Sequence, residues 1–405
     1  MYIRQECFLS FDEIIKYQPE TKLQSVLAEL DFDILTNELA KPEHRRGPKG
    51  HEPLPLLYSL VALQLEKIKN IKGLVQRLHS DPIFRYNCGF NVLDVPPSES
   101  TFSRFLDKIA ASEALEEEFK LLALKAKDLG IIDGSHVAID STEIKAFEKS
   151  RPSSKIVKDG VSPNWGKKRD TDGNDHKWFG WKLHILADCK SELPLNIIIT
   201  PASVNDGIQA IPLMKQLKTH YNSVFSPKYY LMDKIYDVED IYSYIINHTN
   251  GQGIIAYNKR GSFAPPEGLN ENLHPICSMG YELAYWGLDG DYLKFRCPHA
   301  VNRIDCPQGQ NWCSNSNYGY CLKVNYKKNH RFYSYPIRGS EKWQSIYDKR
   351  TSIERCNSRL KEYLNTNNIR SSGIKKAKVW ALLNCITLIA GTIAVNNTKK
   401  LSTAA

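Results

Sequence analysis

The spacing of apolar and polar positions changes character twice along this chain. Up to about residue 130, apolar residues recur at helical intervals. Leu54, Leu57, Val61 and Leu65 set a helix over residues 53–67, and a second runs over residues 71–79 until Asp81 and Pro82 stop it. Ser98 or Ser100 can cap a third helix bearing Phe102, Phe105, Leu106 and Ile109, and residues 113–129 read as a charged connecting helix. Residues 1–45 carry only a weak helical pattern, followed by a basic, turn-prone segment from His44 to Gly50. From Gly134 onward, short β-branched runs take over. Strands are expected over residues 136–140, 182–188 and 195–200, then a helix over 207–218, a strand over 229–233, a helix over 238–247 and a strand over 253–257. Residues 260–340 interrupt this pattern with Tyr, Asn, Gly, Pro and Cys, and helical spacing then returns to the end.

Three strands, helix, strand, helix, strand is the order of a ribonuclease-H-like sheet, an antiparallel trio extended by parallel strands. The expected class is therefore α/β: a ribonuclease-H-like catalytic domain in two parts, residues 131–259 and 341–405. An inserted, Cys-containing, mostly-β subdomain (residues 260–340) splits it, and an all-α N-terminal DNA-binding domain (residues 1–130) precedes it. The start of the third helix, with Ser100, Thr101, Ser103 and Arg104, has the form of a DNA-reading helix N-terminus. An ordinary helical bundle would leave the same residues merely exposed.

In such a sheet the first and fourth strands lie side by side and parallel, so Asp140 and Asp233 would meet at one end. Residues 347–361 contain no Gly or Pro and read as a helix. At about 100° per residue, Tyr347, Glu354 and Lys361 share one face, with Arg350 a turn before Glu354. Ile346, Ile353 and Leu360 form a second row suited to a core. A solvated face stitched by i,i+4 pairs would look similar. Three carboxylates from two strand ends and one helix, however, suit a pair of Mg²⁺ or Mn²⁺ ions, which want oxygen ligands and keep positions open for water and phosphate. Asp140, Asp233 and Glu354 are thus the candidate catalytic and metal-binding set. Arg350 and Lys361 would reach DNA phosphates and Tyr347 would orient one.

Charge and composition sharpen this picture. The net charge of +9 favours a polyanionic partner, and 42% hydrophobic with 24% charged residues is ordinary for a soluble protein. Between Lys145 and Lys182, ten Lys or Arg face five Asp or Glu, interleaved with Trp165, Trp178 and Trp181. That stretch could line a channel for double-stranded DNA, with Lys182 among its cations, or be a solvated loop. The start of the chain has no apolar signal core, so a cytoplasmic, nucleoid-associated protein is expected. Residues 379–395 are apolar but short for a span and hold Asn384, Thr387 and Thr392, which predicts a buried helix and no membrane. Cys297, Cys306, Cys313 and Cys321, with Cys277 and His299 nearby, could hold a structural Zn²⁺, although no close Cys pair marks the site and free thiols are the alternative.

Tyr347, Arg350, Glu354 and Lys361 fill the signature Y-x2-R-x3-E-x6-K, and the chain thereby resembles a DDE transposase of bacterial insertion sequences. Ala138-Ile-Asp140-Ser-Thr142 is similar to the family's first Asp motif, and Leu231-Met-Asp233-Lys-Ile-Tyr236-Asp237 to the second, with Ile235 where a Gly is usual. Lys177 to His184 and Thr200 to Asp206 are also typical, with Trp181 in place of the more usual Tyr. The resemblance implies cleavage at the terminal inverted repeats of the protein's own element and joining of 3′-hydroxyls to target DNA, with a dimer or higher assembly in the synaptic complex. A nuclease without strand transfer, or an inactive DNA-binding remnant, would share many of these residues.

Overall fold

The computed structural model describes every residue except 1–9, 41–49, 151–160, 170–172, 262–263, 310 and 405. The basic segment 44–49 therefore lies outside the described residues. The chain opens on helices: α1 (Phe11–Lys16), α2 (Lys22–Leu27), α3 (Asp33–Leu39), α4 (Pro53–Leu65), α5 (Ile71–Ser80), α6 (Pro82–Asn87), α7 (Glu99–Ile109) and α8 (Ala114–Asp128). Asp81 and Pro82 end α5 but also start α6. The Asp81 carboxylate accepts the Phe84 amide at 2.9 Å, and Pro82 takes the first helical position, where its missing N–H leaves nothing unpaired. Ser98, not Ser100, caps α7, accepting the Thr101 amide at 3.3 Å.

The sheet follows in β1 (His136–Lys145), β2 (Asn164–Arg169), β3 (Asp175–Asp188), β4 (Pro194–Pro201), α9 (Gly207–His220), β5 (Tyr229–Met232), α10 (Glu239–His248) and β6 (Gln252–Ile255). Its order is β2-β3-β1-β5-β6, with β4 also paired to β3. β1, β3 and β4 are antiparallel, whereas β5 runs parallel to both β1 and β6.

β2 was not legible as a strand. It folds back on β3 with Gly166 opposite Trp178, and a Cβ on that glycine would lie 2.4 Å from the indole. The ring covers the bare backbone, as aromatic residues do across from strand glycines. This corrects the channel expectation: Trp178 and Trp181 are buried and closed to DNA, and only Trp165 of the three is exposed. Gly180 has a similar steric reason, because a Cβ there would stand 2.1 Å from the Ile144 carbonyl oxygen.

The insertion forms its own antiparallel sheet of β7 (Ala284–Asp289), β8 (Tyr292–Arg296) and β9 (Cys321–Asn325). A small separate core of Leu283, Leu293, Phe295 and Tyr326 supports it. Helical structure returns as α11 (Glu341–Tyr347), a 3₁₀ turn (Asp348–Arg350), α12 (Thr351–Ser358) and a π turn (Arg359–Tyr363). The last helix, α13 (Ile374–Ala404), packs against α2, α4, α7 and α8 and also against β4. One apolar core consequently runs from the early helices through α13 to the sheet. Among the described residues, the stretch Ile374–Lys399 is long and apolar enough to cross a membrane, yet most of it is buried inside the protein.

Candidate active site

The placement of the two aspartates follows from strand register. Ala138 pairs with Leu231 across the parallel β1–β5 seam. Asp140 and Asp233 each stand two residues further on, so both carboxylates emerge at the same end. Asp233 caps the turn Lys234–Tyr236, accepting the Ile235 amide at 2.7 Å. Ile235 is not among the residues with positive φ, so this turn does not need the glycine usual at that position. Burial pushes the Asp140 carboxyl up to about 6; the charge of Asp233 adds to this, while the Ser141 amide, Lys168 and Arg350 oppose it.

The 3₁₀ turn and the π turn interrupt the single regular helix expected over residues 347–361. Helical segments with such a bulge recur at functional sites. Even so, the stripe faces the aspartates. Tyr347 stacks on Trp343 at 4.7 Å between ring centres, and its hydroxyl is held above its ordinary value by burial, with Arg350 opposing and Asp233 contributing. Lys361 is half-buried and within the fields of Glu143 and Asp140; burial pulls its ammonium down. Ile353 and Leu360 are fully buried in the core row, as expected.

Glu354 is exposed, and its carboxylate accepts from Arg350 at 2.7 Å. Among the described residues no three His, Cys, Asp or Glu side chains stand as a ready metal group. The donors nevertheless suit a hard dication: all are carboxylate oxygens, and two of them share one field. Arg350 engages only Oε1 of Glu354, which leaves Oε2 for an ion.

Two roles escaped the sequence reading. Asn357, on α12 three residues after Glu354, donates to the Asp140 carboxylate at 3.2 Å; helical i,i+3 spacing was the available signal. Asp237, fully buried, accepts from Arg331 at 2.9 Å, from the Asn258 amide at 3.0 Å and from the Tyr242 hydroxyl at 2.9 Å. Arg338 in turn donates to the Tyr242 hydroxyl at 2.9 Å. Arg331 and Arg338 follow β9, so this carboxylate ties the end of the insertion to the turn that begins at Asp233.

The remaining candidates divide. Ser100, Ser103 and Arg104 are exposed at the start of α7, with Thr101 half-buried beside them. Lys182 is not available to a phosphate. Its mostly buried ammonium pairs with Asp206 at 2.9 Å and donates to the Val204 carbonyl at 2.9 Å. The neighbouring His184 is also internal, bonded to Thr200 at 2.8 Å and pushed down to about 4 by burial against the opposing charge of Asp206. Of the four cysteines Cys297 and Cys306 are buried, Cys313 is half-buried and Cys321 sits exposed on β9 across from Arg296; among the described residues they do not stand as a ready metal group.

Two aspartates at the ends of adjacent parallel strands, faced by a helix bearing Glu, Arg and Lys, define a site for metal-dependent work on phosphodiesters. Residues 132–390 match the transposase DDE domain family, and residues 10–108 match a second transposase domain, DUF772. The chain belongs to the transposase DDE domain family and is a DNA transposase, an enzyme class that uses divalent metal. Among solved structures it is similar to piggyBac transposase in a synaptic complex with hairpin DNA, at 12% identity and a TM-score of 0.43, over 93% of this chain and 75% of that one. No curated protein matches.

Proposed function

We propose that this transposase binds the terminal inverted repeats of its own element, cleaves the ends and joins the freed 3′-hydroxyls to target DNA on a ribonuclease-H-like fold. The equal placement of Asp140 and Asp233 beyond one parallel seam is the observation that carries this reading. Asp140, Asp233 and Glu354 would hold two Mg²⁺ or Mn²⁺ ions. Held there, such ions would supply activation of the attacking water or 3′-hydroxyl and stabilisation of the leaving oxygen. Asn357 fixes the orientation of the Asp140 carboxylate. Arg350, once released from Glu354, and Lys361 draw the phosphate backbone in, and Tyr347 orients a phosphate oxygen. The exposed start of α7 offers Ser100, Thr101, Ser103 and Arg104 to duplex DNA. Two ends must meet, so the working assembly holds at least two copies.

The test is incubation of linear DNA carrying the gene's own flanking repeats with protein and Mg²⁺ or Mn²⁺, with products mapped to the nucleotide. Defined nicks at the repeat ends followed by joined products are expected. Diffuse cutting would point to a nuclease, and binding without cutting to an inactive remnant. The raised Asp140 adds a pH prediction. Its carboxyl holds a proton below about 6, and an ion must displace that proton. Mn²⁺ affinity should fall about tenfold per pH unit below that point and level off above it, as one-proton competition requires. Isothermal titration across pH 5–8 (roughly the range bracketing the shift) reads this directly, and a flat profile would remove Asp140 from the ligands.

A further inference from the structure

The small sheet of the insertion gathers cysteines at one end. Ala284 pairs with Arg296, and Arg296 pairs with Cys321. Residues before Ala284, after Arg296 and before Cys321 therefore all leave the sheet in the same direction. Cys277 lies on a hairpin there, closed by the Leu283 amide on the Pro275 carbonyl at 2.8 Å. Cys297 follows Arg296 directly, and its amide donates to the Tyr320 carbonyl at 2.8 Å. Cys306 and Cys313 belong to the connection from β8 to β9, which spans that end.

Local backbone geometry sets two of these residues alike. The Cys277 carbonyl accepts the Gly280 amide at 2.9 Å, and the Cys306 carbonyl accepts the Gly309 amide at 2.9 Å. Gly280 and Gly309 have φ of 76° and 65°, and a Cβ on either would meet nothing within 4 Å. Glycine is needed there for the turn alone, so each Cys heads a tight Cys-x-x-Gly turn. The chain before β9 also closes on the third residue: a Cβ on Gly319 would lie 2.8 Å from the Cys297 Cβ. The Cys313 thiol is held above its ordinary value by burial and then by Cys277, Cys297 and Cys306, which puts three other thiols within its electrostatic range. Cys321 is not among them. His299 lies beside Cys306, and its Nδ1 is engaged by the Cys306 amide at 3.2 Å.

The apolar core of this module is small. Its separate core holds Leu283, Leu293, Phe295 and Tyr326, and its cysteines are free thiols. Units of that size with so thin a core commonly depend on disulfides or a structural metal. The geometry points to a structural zinc site formed by the thiolates of Cys277, Cys297, Cys306 and Cys313, with Cys321 outside it. Four thiolates match the tetrahedral shell that Zn²⁺ takes in structural sites. Among the described residues the thiols stand too open to count as a finished shell, as do the catalytic carboxylates. Zinc draws the connection 297–320 against the 275–283 hairpin and releases thiol protons as it binds.

The experiment is elemental analysis of the full chain after gel filtration, for wild type, Cys277→Ser, Cys306→Ser and Cys321→Ser. About one zinc per chain is expected in the wild type and in Cys321→Ser, and less than about a tenth in the other two. Replacement by Co²⁺ should give thiolate-to-metal absorption in the wild type. Should Cys277→Ser or Cys306→Ser fail to fold, thiol counting on wild type with and without chelator replaces them, with four extra reactive thiols expected once metal is removed. Wild type with no zinc and no Co²⁺ spectrum overturns the site. Loss of zinc in Cys321→Ser with retention in Cys277→Ser overturns the ligand set.

Discussion

Replacing Glu354 by Gln is expected to lower cleavage at the element ends by at least about 10³-fold, equivalent to about 4 kcal/mol of transition-state stabilisation, while end binding persists. Gln keeps the length and shape of the side chain but removes the charge that would hold an ion from α12. The exposed position of Glu354 makes a folding defect an inadequate explanation for such a loss, because exposed substitutions away from packed features change stability by only about 0.5 kcal/mol. In this variant Arg350 keeps only a neutral amide oxygen in place of its 2.7 Å carboxylate partner and becomes freer to meet phosphate, so binding should hold or tighten slightly. Cleaved fraction against time and a gel shift on the same DNA separate the two effects. Joint loss of binding and cleavage would remove Glu354 from the ligand role.

Asp237→Ala should act through a different route. The change leaves Arg331 and the buried Arg338 without the carboxylate that joins them to the sheet, and it strips the Tyr242 hydroxyl and Asn258 amide of their acceptor. Removing one partner from a buried charge network costs about 3–5 kcal/mol. Chemical denaturation should register that loss, and limited proteolysis should cut first between residues 260 and 340, where the insertion is held. Cleavage activity should fall as well, since the turn that Asp237 anchors begins at Asp233. A stability change below about 1 kcal/mol, the level of an exposed ion pair, would show that the network is dispensable.

Much of the central sheet could be read locally. β4 and β5 are short β-branched or aromatic runs, and α9 and α10 carry the apolar spacing that a helix needs, so each element's type follows from its own residues. β2 could not be read this way. Its residues Asn164–Arg169 are polar and basic, and they are a strand because β3 extends far enough to pair with them and Trp178 covers Gly166. Lys182 misled for a related reason. Its position among cations looked like a phosphate contact, but Asp206, at the start of α9, comes to it only in the folded chain.

The sequence alone determined the order of β1, β3, β4, α9, β5, α10 and β6, the candidate acids at the ends of two apolar runs, and the stripe of Tyr347, Arg350, Glu354 and Lys361. These depend on residue type and on periods of two and 3.6, which are local properties. Tertiary structure decided which side chains are spent on one another. It set Lys182 on Asp206 and Arg331 on Asp237, and it placed the Cys277 hairpin at the end of the small sheet where Cys297 emerges. Partner choice between charges or thiols far apart in the chain is a matter of distance and burial, and only sheet register and packing supply those.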